Sequence, residues 1–117
     1  MLSIPDAARI YYCATPVKMS RSYDGLCGAV RSALGRDPCE AGSIFVFVNR
    51  RRTMVKVLCW EGDGFSIWGK RLERGQFNLP PSADGRIVLE YRELVAMLAG
   101  IRPGRYYRRH NSALTPA

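Results

Sequence analysis

Arginine and lysine recur in this chain in groups that suit phosphate binding. Arg50, Arg51 and Arg52 form one run. Lys70, Arg71 and Arg74 follow in a second basic segment. Arg105, Arg108 and Arg109 are interleaved with Tyr106 and Tyr107 near the C-terminus. Guanidinium forks match phosphate oxygens and stay charged at any physiological pH. Tyrosines between them can stack on bases. The chemistry offered is electrostatic grip, not bond making. A Ser-His or Cys-His nucleophile pair would need His110, the one histidine, which lies in the tail. A divalent-metal site needs convergent carboxylates, and the chain has ten acids in all. Glu40, Glu61 and Asp63 are the candidates, and Asp63 is already explained as a turn residue. Gly62 and Gly64 flank a hairpin turn and open no helix, so they make no phosphate-binding loop. Cys13, Cys27, Cys39 and Cys59 are too far apart for a CxxC metal pair and read as reduced thiols of a cytoplasmic protein. The expectation is therefore a non-enzyme without cofactor or metal.

The elements that position these cations lie between Ser43 and Pro80. Ser43 to Asn49, Met54 to Trp60 and Phe65 to Leu72 are rich in β-branched and aromatic residues and bounded by turn residues, as strands are. Their short linkers predict an antiparallel meander. With turns at Arg50 to Thr53 and at Gly62-Asp63, Val48 faces Val55 and Val55 faces Lys70. One sheet face then carries Phe45, Phe47, Leu58, Trp60, Phe65 and Ile67. The other carries Ile44, Val46, Val48, Val55, Val57 and Trp68. Both faces are apolar, so both need cover. The register brings Arg50, Arg51, Arg52, Lys70, Arg71 and Arg74 to one end of the sheet, with Glu61 and Asp63 at the other.

Upstream, Ala8 to Ala14 reads as a strand and Thr15 to Arg21 as a loop with Pro16, Lys18 and Arg21. Ser22 suits an N-cap, with Asp24 in the first turn. Tyr23, Leu26, Cys27, Val30, Ala33 and Leu34 recur at helical spacing, and Gly35 suits the stop. Downstream come a loop from Gln76 to Gly85, a short strand within Arg86 to Leu89, and a helix over Tyr91 to Gly100. That helix has a stripe of Leu94, Met97, Leu98 and Ile101. The predicted fold is α+β: an antiparallel sheet built on the meander and packed by two helices. Residues 1–101 form one domain, and 102–117 a basic flexible tail.

The chain has 117 residues and a net charge of +8. A chain of this length buries roughly 65% of its unfolded surface, enough for one core. The 47% hydrophobic content argues against global disorder. The clustered excess of positive charge points to a polyanionic partner, nucleic acid first. No apolar run reaches the roughly 18 to 20 residues of a spanning helix, and the N-terminus lacks the pattern of a signal peptide. No membrane partner is expected.

Three segments, FVFVNRRR, KVLCWEGDGFSIWGKRLERGQFNLP and SYDGLCGAV with its preceding PVKMSR loop, resemble the TnpB-type accessory protein of insertion-sequence family sixty-six. The resemblance covers about Ile10 to Ile101. It implies a small protein encoded beside a separate DDE-type transposase and needed for efficient transposition. The matching positions are Arg50, Arg51, Arg52, Lys56, Trp60, Gly62, Gly64, Trp68, Lys70, Arg71 and Glu73. The family usually has Thr-Asp-Met-Arg-Lys where this chain has Val17, Lys18, Met19, Ser20 and Arg21, so an acid has become a base. The tail from Arg102 lies outside the resemblance.

Together these readings predict a non-catalytic transposition accessory that binds DNA through the basic end of the sheet. Arg50, Arg51, Arg52, Lys70, Arg71, Arg74, Arg105, Arg108 and Arg109 are its contact residues. Its protein partners, implied by the resemblance, are the transposase and another accessory protein. The alternative is a protein–protein adaptor that grips the transposase through the helical stripe or Trp68 and touches no nucleic acid. A third reading, an enzyme of small polyanionic substrates, requires acids and bases in one cleft, which the register argues against. The sequence leaves the oligomeric state open.

Overall fold

The computed structural model describes residues 4, 7–79 and 88–99. The elements in order are β1 (Arg9–Tyr12), α1 (Tyr23–Ala33), β2 (Ser43–Val48), β3 (Met54–Trp60), β4 (Phe65–Arg71), β5 (Val88–Leu89) and α2 (Tyr91–Leu98). They build an α+β fold with a five-stranded sheet in the order β4-β3-β2-β1-β5. The meander has the register expected from its turns: Val48 opposite Val55, Val55 opposite Lys70 and Trp60 opposite Phe65.

The sheet departs from the all-antiparallel expectation at β1, which runs parallel to β2, with Ile10 opposite Ile44 and Tyr12 opposite Val46. Parallel neighbours need a crossover, and α1 supplies it. The strand is also shorter than the apolar run suggested, because the chain leaves the ladder after Tyr12. It continues beside β2, with the amides of Cys13 and Val17 donating to the carbonyls of Val46 and Val48 at 2.9 and 3.0 Å.

All six residues of β2 are buried. A central strand in a sheet covered on both faces reads as a continuous apolar run, and SIFVFV does. Alternation sends Phe45 and Phe47 to the α1 side, where they meet Leu26, Val30 and Leu58. Ile44, Val46 and Val48 go to the α2 side, where they meet Val55, Val57, Leu94 and Met97. Leu94 and Met97 are fully buried, and Leu98 packs partly against the same core. Two members of the helical stripe proposed as an adaptor surface are thus consumed by the fold, and Ile101 lies outside the described residues. Trp68 is half-buried against the α2-side core, and Trp60 packs on Phe65 with ring centroids 4.9 Å apart.

Ser22 occupies the N-cap position of α1 but makes no side-chain cap bond. Instead the Lys56 ammonium reaches across from β3 and donates to the Arg21 carbonyl at 2.8 Å, anchoring the chain where it enters the helix. Gly35 ends α1 with φ +64°, a left-handed conformation that glycine adopts without a Cβ clash. The start of α2 is secured by the backbone N–H of Glu90 donating to the Glu93 carboxylate at 2.8 Å. The expected boundary at residues 101 and 102, and the whole basic tail, lie outside the described residues.

Candidate nucleic-acid interface

The turn joining β2 to β3 is built by Asn49. Its side-chain oxygen accepts from the backbone N–H groups of Thr53 and Met54 at 2.9 and 3.0 Å, and its amide nitrogen donates to the Thr53 hydroxyl at 3.0 Å. An asparagine that satisfies turn amides in this way does the work of a backbone turn. Arg52 closes the loop with φ +60°, a left-handed conformation that non-glycine residues seldom adopt. The segment after β4 holds it there. The Phe77 N–H donates to the Arg52 carbonyl at 2.6 Å, the Gln76 amide to the Arg51 carbonyl at 2.8 Å, and the Leu72 N–H to the Thr53 carbonyl at 2.9 Å. Phe77 is itself buried in the α2-side core. The backbone of the arginine run is therefore clamped while its three side chains remain exposed.

Arg50 and Arg51 border an open hollow of about 510 Å³ whose other walls are Pro16, Val17, Lys18, Arg21 and Asn49. Lys18 and Arg21 come from the loop between β1 and α1, far away in sequence. Two bonds bring that loop here: the Val17 N–H on the Val48 carbonyl and Lys56 on the Arg21 carbonyl. Gly25 makes room for it. A Cβ at that position would stand 3.0 to 3.3 Å from Arg21 Cβ, Cγ and Cδ, so the Arg21 side chain lies directly over the glycine. Burial pushes the Cys13 thiol up, while its bond to the Thr15 carbonyl and the Arg21 charge pull it back, which places that charge within electrostatic reach of the loop's root. Four cations thus face one hollow, and no carboxylate is among its described lining residues.

Lys18 and Arg21 were missing from the expected surface. The signals were a glycine in the first turn of α1 and an apolar strand upstream whose partner was unspecified. The other expected residues divide. Lys70 stands at the basic end, opposite Val55, but on the α2 face. Its ammonium donates to the Leu98 carbonyl at 2.8 Å, neutralising the C-terminal end of α2, and it lines a different groove with Trp68, Tyr91 and Val95. It does not join the hollow. Arg52 is not among the lining residues of the hollow; burial pushes the Tyr12 hydroxyl up, the neighbouring Cys13 adds to that, and the Arg52 charge draws it back. Arg71 is exposed, 3.7 Å from Glu73, and Arg74 is exposed in the following loop. Arg105, Arg108 and Arg109 lie outside the described residues.

Among the described residues the acids do not assemble. Glu40 accepts from Ser43 Oγ at 2.7 Å, pairs with Arg36 at 2.8 Å and lies 3.5 Å from Arg9. These partners hold its carboxyl below the ordinary range, the Ser43 bond being the largest cause. Glu61 accepts from the Ser66 hydroxyl at 2.7 Å. Among the described residues no group of three or more His, Cys, Asp or Glu side chains is arranged to hold a metal ion. Cys13 and Cys27 are buried, Cys59 is half-buried and Cys39 is exposed, all as free thiols. No helix among the described residues is long and apolar enough to cross a membrane.

Residues 8–108, which hold the sheet, both helices and the hollow, match the family described as IS66 Orf2 like protein. The chain belongs to that IS66 Orf2-like family. Two relatives from Sinorhizobium fredii (strain NBRC 101917 / NGR234) extend the likeness. The protein named uncharacterized protein y4jC is 37% identical over 93 residues, covering 80% of this chain and 79% of its own. The one named uncharacterized protein y4hO is 30% identical over 101 residues, covering 86% and 87%. No solved structure matches this chain. The family match reaches past α2 to residue 108, so Arg105 and Arg108, first read as lying outside the resemblance, fall within it.

Proposed function

We propose that this IS66 Orf2-like protein is a non-catalytic accessory of transposition that grips the phosphate backbone of DNA in the hollow between the β1–α1 loop and the β2–β3 turn. Lys18, Arg21, Arg50 and Arg51 are the contact residues, and the separately encoded transposase is the machine it serves. One observation carries this reading: cations from two segments far apart in sequence meet at one hollow that has no acid in its described lining. Such an arrangement suits an anion with several charged oxygens. The pinned backbone of the turn lowers the cost of ordering the arginines on binding. The arginines Arg105, Arg108 and Arg109, towards the C-terminal end of the sequence, extend the same grip as a second contact.

The test is fluorescence anisotropy of the full chain with labelled element-end duplex and a scrambled duplex across a salt series. About four phosphate contacts in the hollow alone contribute near −3.6 to the log–log slope, and the arginines beyond α2 steepen it further. Tight, salt-steep binding that favours the end sequence supports a factor that recognises element ends. Equal binding to both leaves a general backbone grip. No binding at low salt overturns the nucleic-acid reading and leaves the transposase as the partner to test.

A further inference from the structure

The sheet has two edges of different kinds. At one, β5 has two residues, too short to template another strand. At the other, β4 runs for seven residues, Phe65 to Arg71, without proline. Its backbone pattern says which groups face outward. The Glu61 N–H donates to the Gly64 carbonyl and the Leu72 N–H to the Thr53 carbonyl. Antiparallel pairs alternate between bonded and non-bonded, so Ser66, Trp68 and Lys70 turn their backbone groups toward β3. Phe65, Ile67, Gly69 and Arg71 turn theirs outward, where no described strand meets them.

We propose that β4 pairs antiparallel with β4 of a second copy of this chain, with Ile67 on the two-fold axis, giving a dimer with a continuous ten-stranded sheet. In this register Ile67 faces Ile67 of the partner subunit, Phe65 faces the partner's Gly69, and Arg71 falls beside the partner's Asp63. All the paired β4 positions are outward-facing, so each can exchange both backbone hydrogen bonds. Charge selects the arrangement. The strand has Asp63 beyond one end and Lys70 and Arg71 at the other. Parallel pairing would set like charges together, whereas antiparallel pairing sets opposite charges together. Moving the axis to Trp68 would lose the Arg71–Asp63 match and place Arg71 against the partner's Phe65. Gly69 has no side chain and is open toward the edge, with the Val55 carbonyl the nearest atom to an added Cβ at 3.6 Å, so the partner's Phe65 ring can lie over it. On the other face, an apolar groove of about 390 Å³ runs beside β4. Tyr91 and Val95 are 42% and 46% exposed there, and a second copy across the edge would shield them. This inference is independent of the nucleic-acid reading.

Light scattering of the full chain after gel filtration is expected to give twice the mass of one chain; a monomer at tens of micromolar overturns the proposal. The axis is tested by cysteine capture in a Cys39→Ser background, which removes the exposed thiol. Directly paired strand residues are about 5.5 Å apart between Cα atoms, within disulfide reach. Ile67→Cys is therefore expected to form a covalent dimer under mild oxidation, and Arg74→Cys is not. A dimer that persists while Ile67→Cys fails to link overturns the β4 interface. Because Ile67 also packs against the core, a charge swap gives an independent reading. Arg71→Asp is expected to weaken dimerisation about tenfold, and adding Asp63→Arg to restore it. Failure of the second change to restore what the first removed sinks the register.

Discussion

The β2–β3 turn and the C-terminal end of β4 lie side by side at the basic end of one sheet, yet Arg50 and Arg51 of the first and Lys70 of the second serve opposite faces. Arg50 and Arg51 open onto the α1 side, where Lys18 and Arg21 join them. Lys70 points to the α2 side and donates to the Leu98 carbonyl at the end of a helix. Proximity along the sheet and membership of one surface are therefore different things. Strand register decides which end of a sheet a residue occupies, and parity decides the face. A cation held by a helix terminus serves the fold, whereas the cations around the hollow have no carboxylate among its described lining residues and are the ones proposed to meet a ligand.

Four changes press on this contrast, in descending order of effect. Asn49→Ala removes three hydrogen bonds that shape the arginine turn. It is expected to cost about 2 kcal/mol in urea denaturation and to lower DNA affinity by misplacing Arg50 and Arg51. Unchanged affinity at reduced stability would separate the turn from binding. Arg50→Ala with Arg51→Ala should leave the melting temperature nearly unmoved, flatten the salt slope by about 2, and weaken binding roughly tenfold at physiological salt. Lys70→Met should do the reverse: no change in salt slope, and a loss of about 0.5 kcal/mol because the cap on α2 is exposed. If Lys70→Met flattened the slope as much as the double arginine change, the division between faces would fail.

The smallest effect concerns the far end of the sheet. Glu40 has its carboxyl held below the ordinary range, chiefly by Ser43 and then by Arg36. A depressed folded-state value contributes stability above the ordinary carboxylate range and loses it as pH falls through the lower folded value. Glu40→Gln is thus expected to shallow the acid limb of a stability–pH profile without altering DNA binding at neutral pH. An unchanged acid limb would show that the cluster of Arg9, Arg36, Glu40 and Ser43 gives no net stabilisation.

What could be read from the sequence follows the range of the interactions involved. The meander was legible down to its residue pairs, because turn chemistry at Asn49 to Thr53 and at Gly62-Asp63 sets register locally and alternation sets the faces. The same alternation placed Trp68 on the valine face, and Lys70 lies two residues further along that strand. Its separation from the arginines was therefore already present in the pattern. The direction of β1 was not legible. A four-residue strand carries little periodicity, and its parallel pairing with β2 depends on how a whole helical crossover returns. Half of the hollow was lost with it, since Lys18 and Arg21 hang from that connection. The loop with Lys18 and Arg21, where the resemblance implies an acid and a lysine, reads differently once placed. The substitution of an acid by Lys18 adds positive charge to a wall that already holds arginines.

The complete burial of β2 has a consequence for how the molecule comes together. Its neighbour β3 follows after a short turn and β4 after another, so the meander can form from contacts near in sequence. The β1 strand precedes it and β5 follows it, and their pairings close longer loops, which cost more chain entropy. In native-state hydrogen exchange, amides of β2 and β3 should be the last to exchange and those of β5 among the first. The hollow joins a turn closed by local contacts to the β1–α1 loop, which is held by contacts far apart in sequence, so all four cations meet only where both kinds of closure are made.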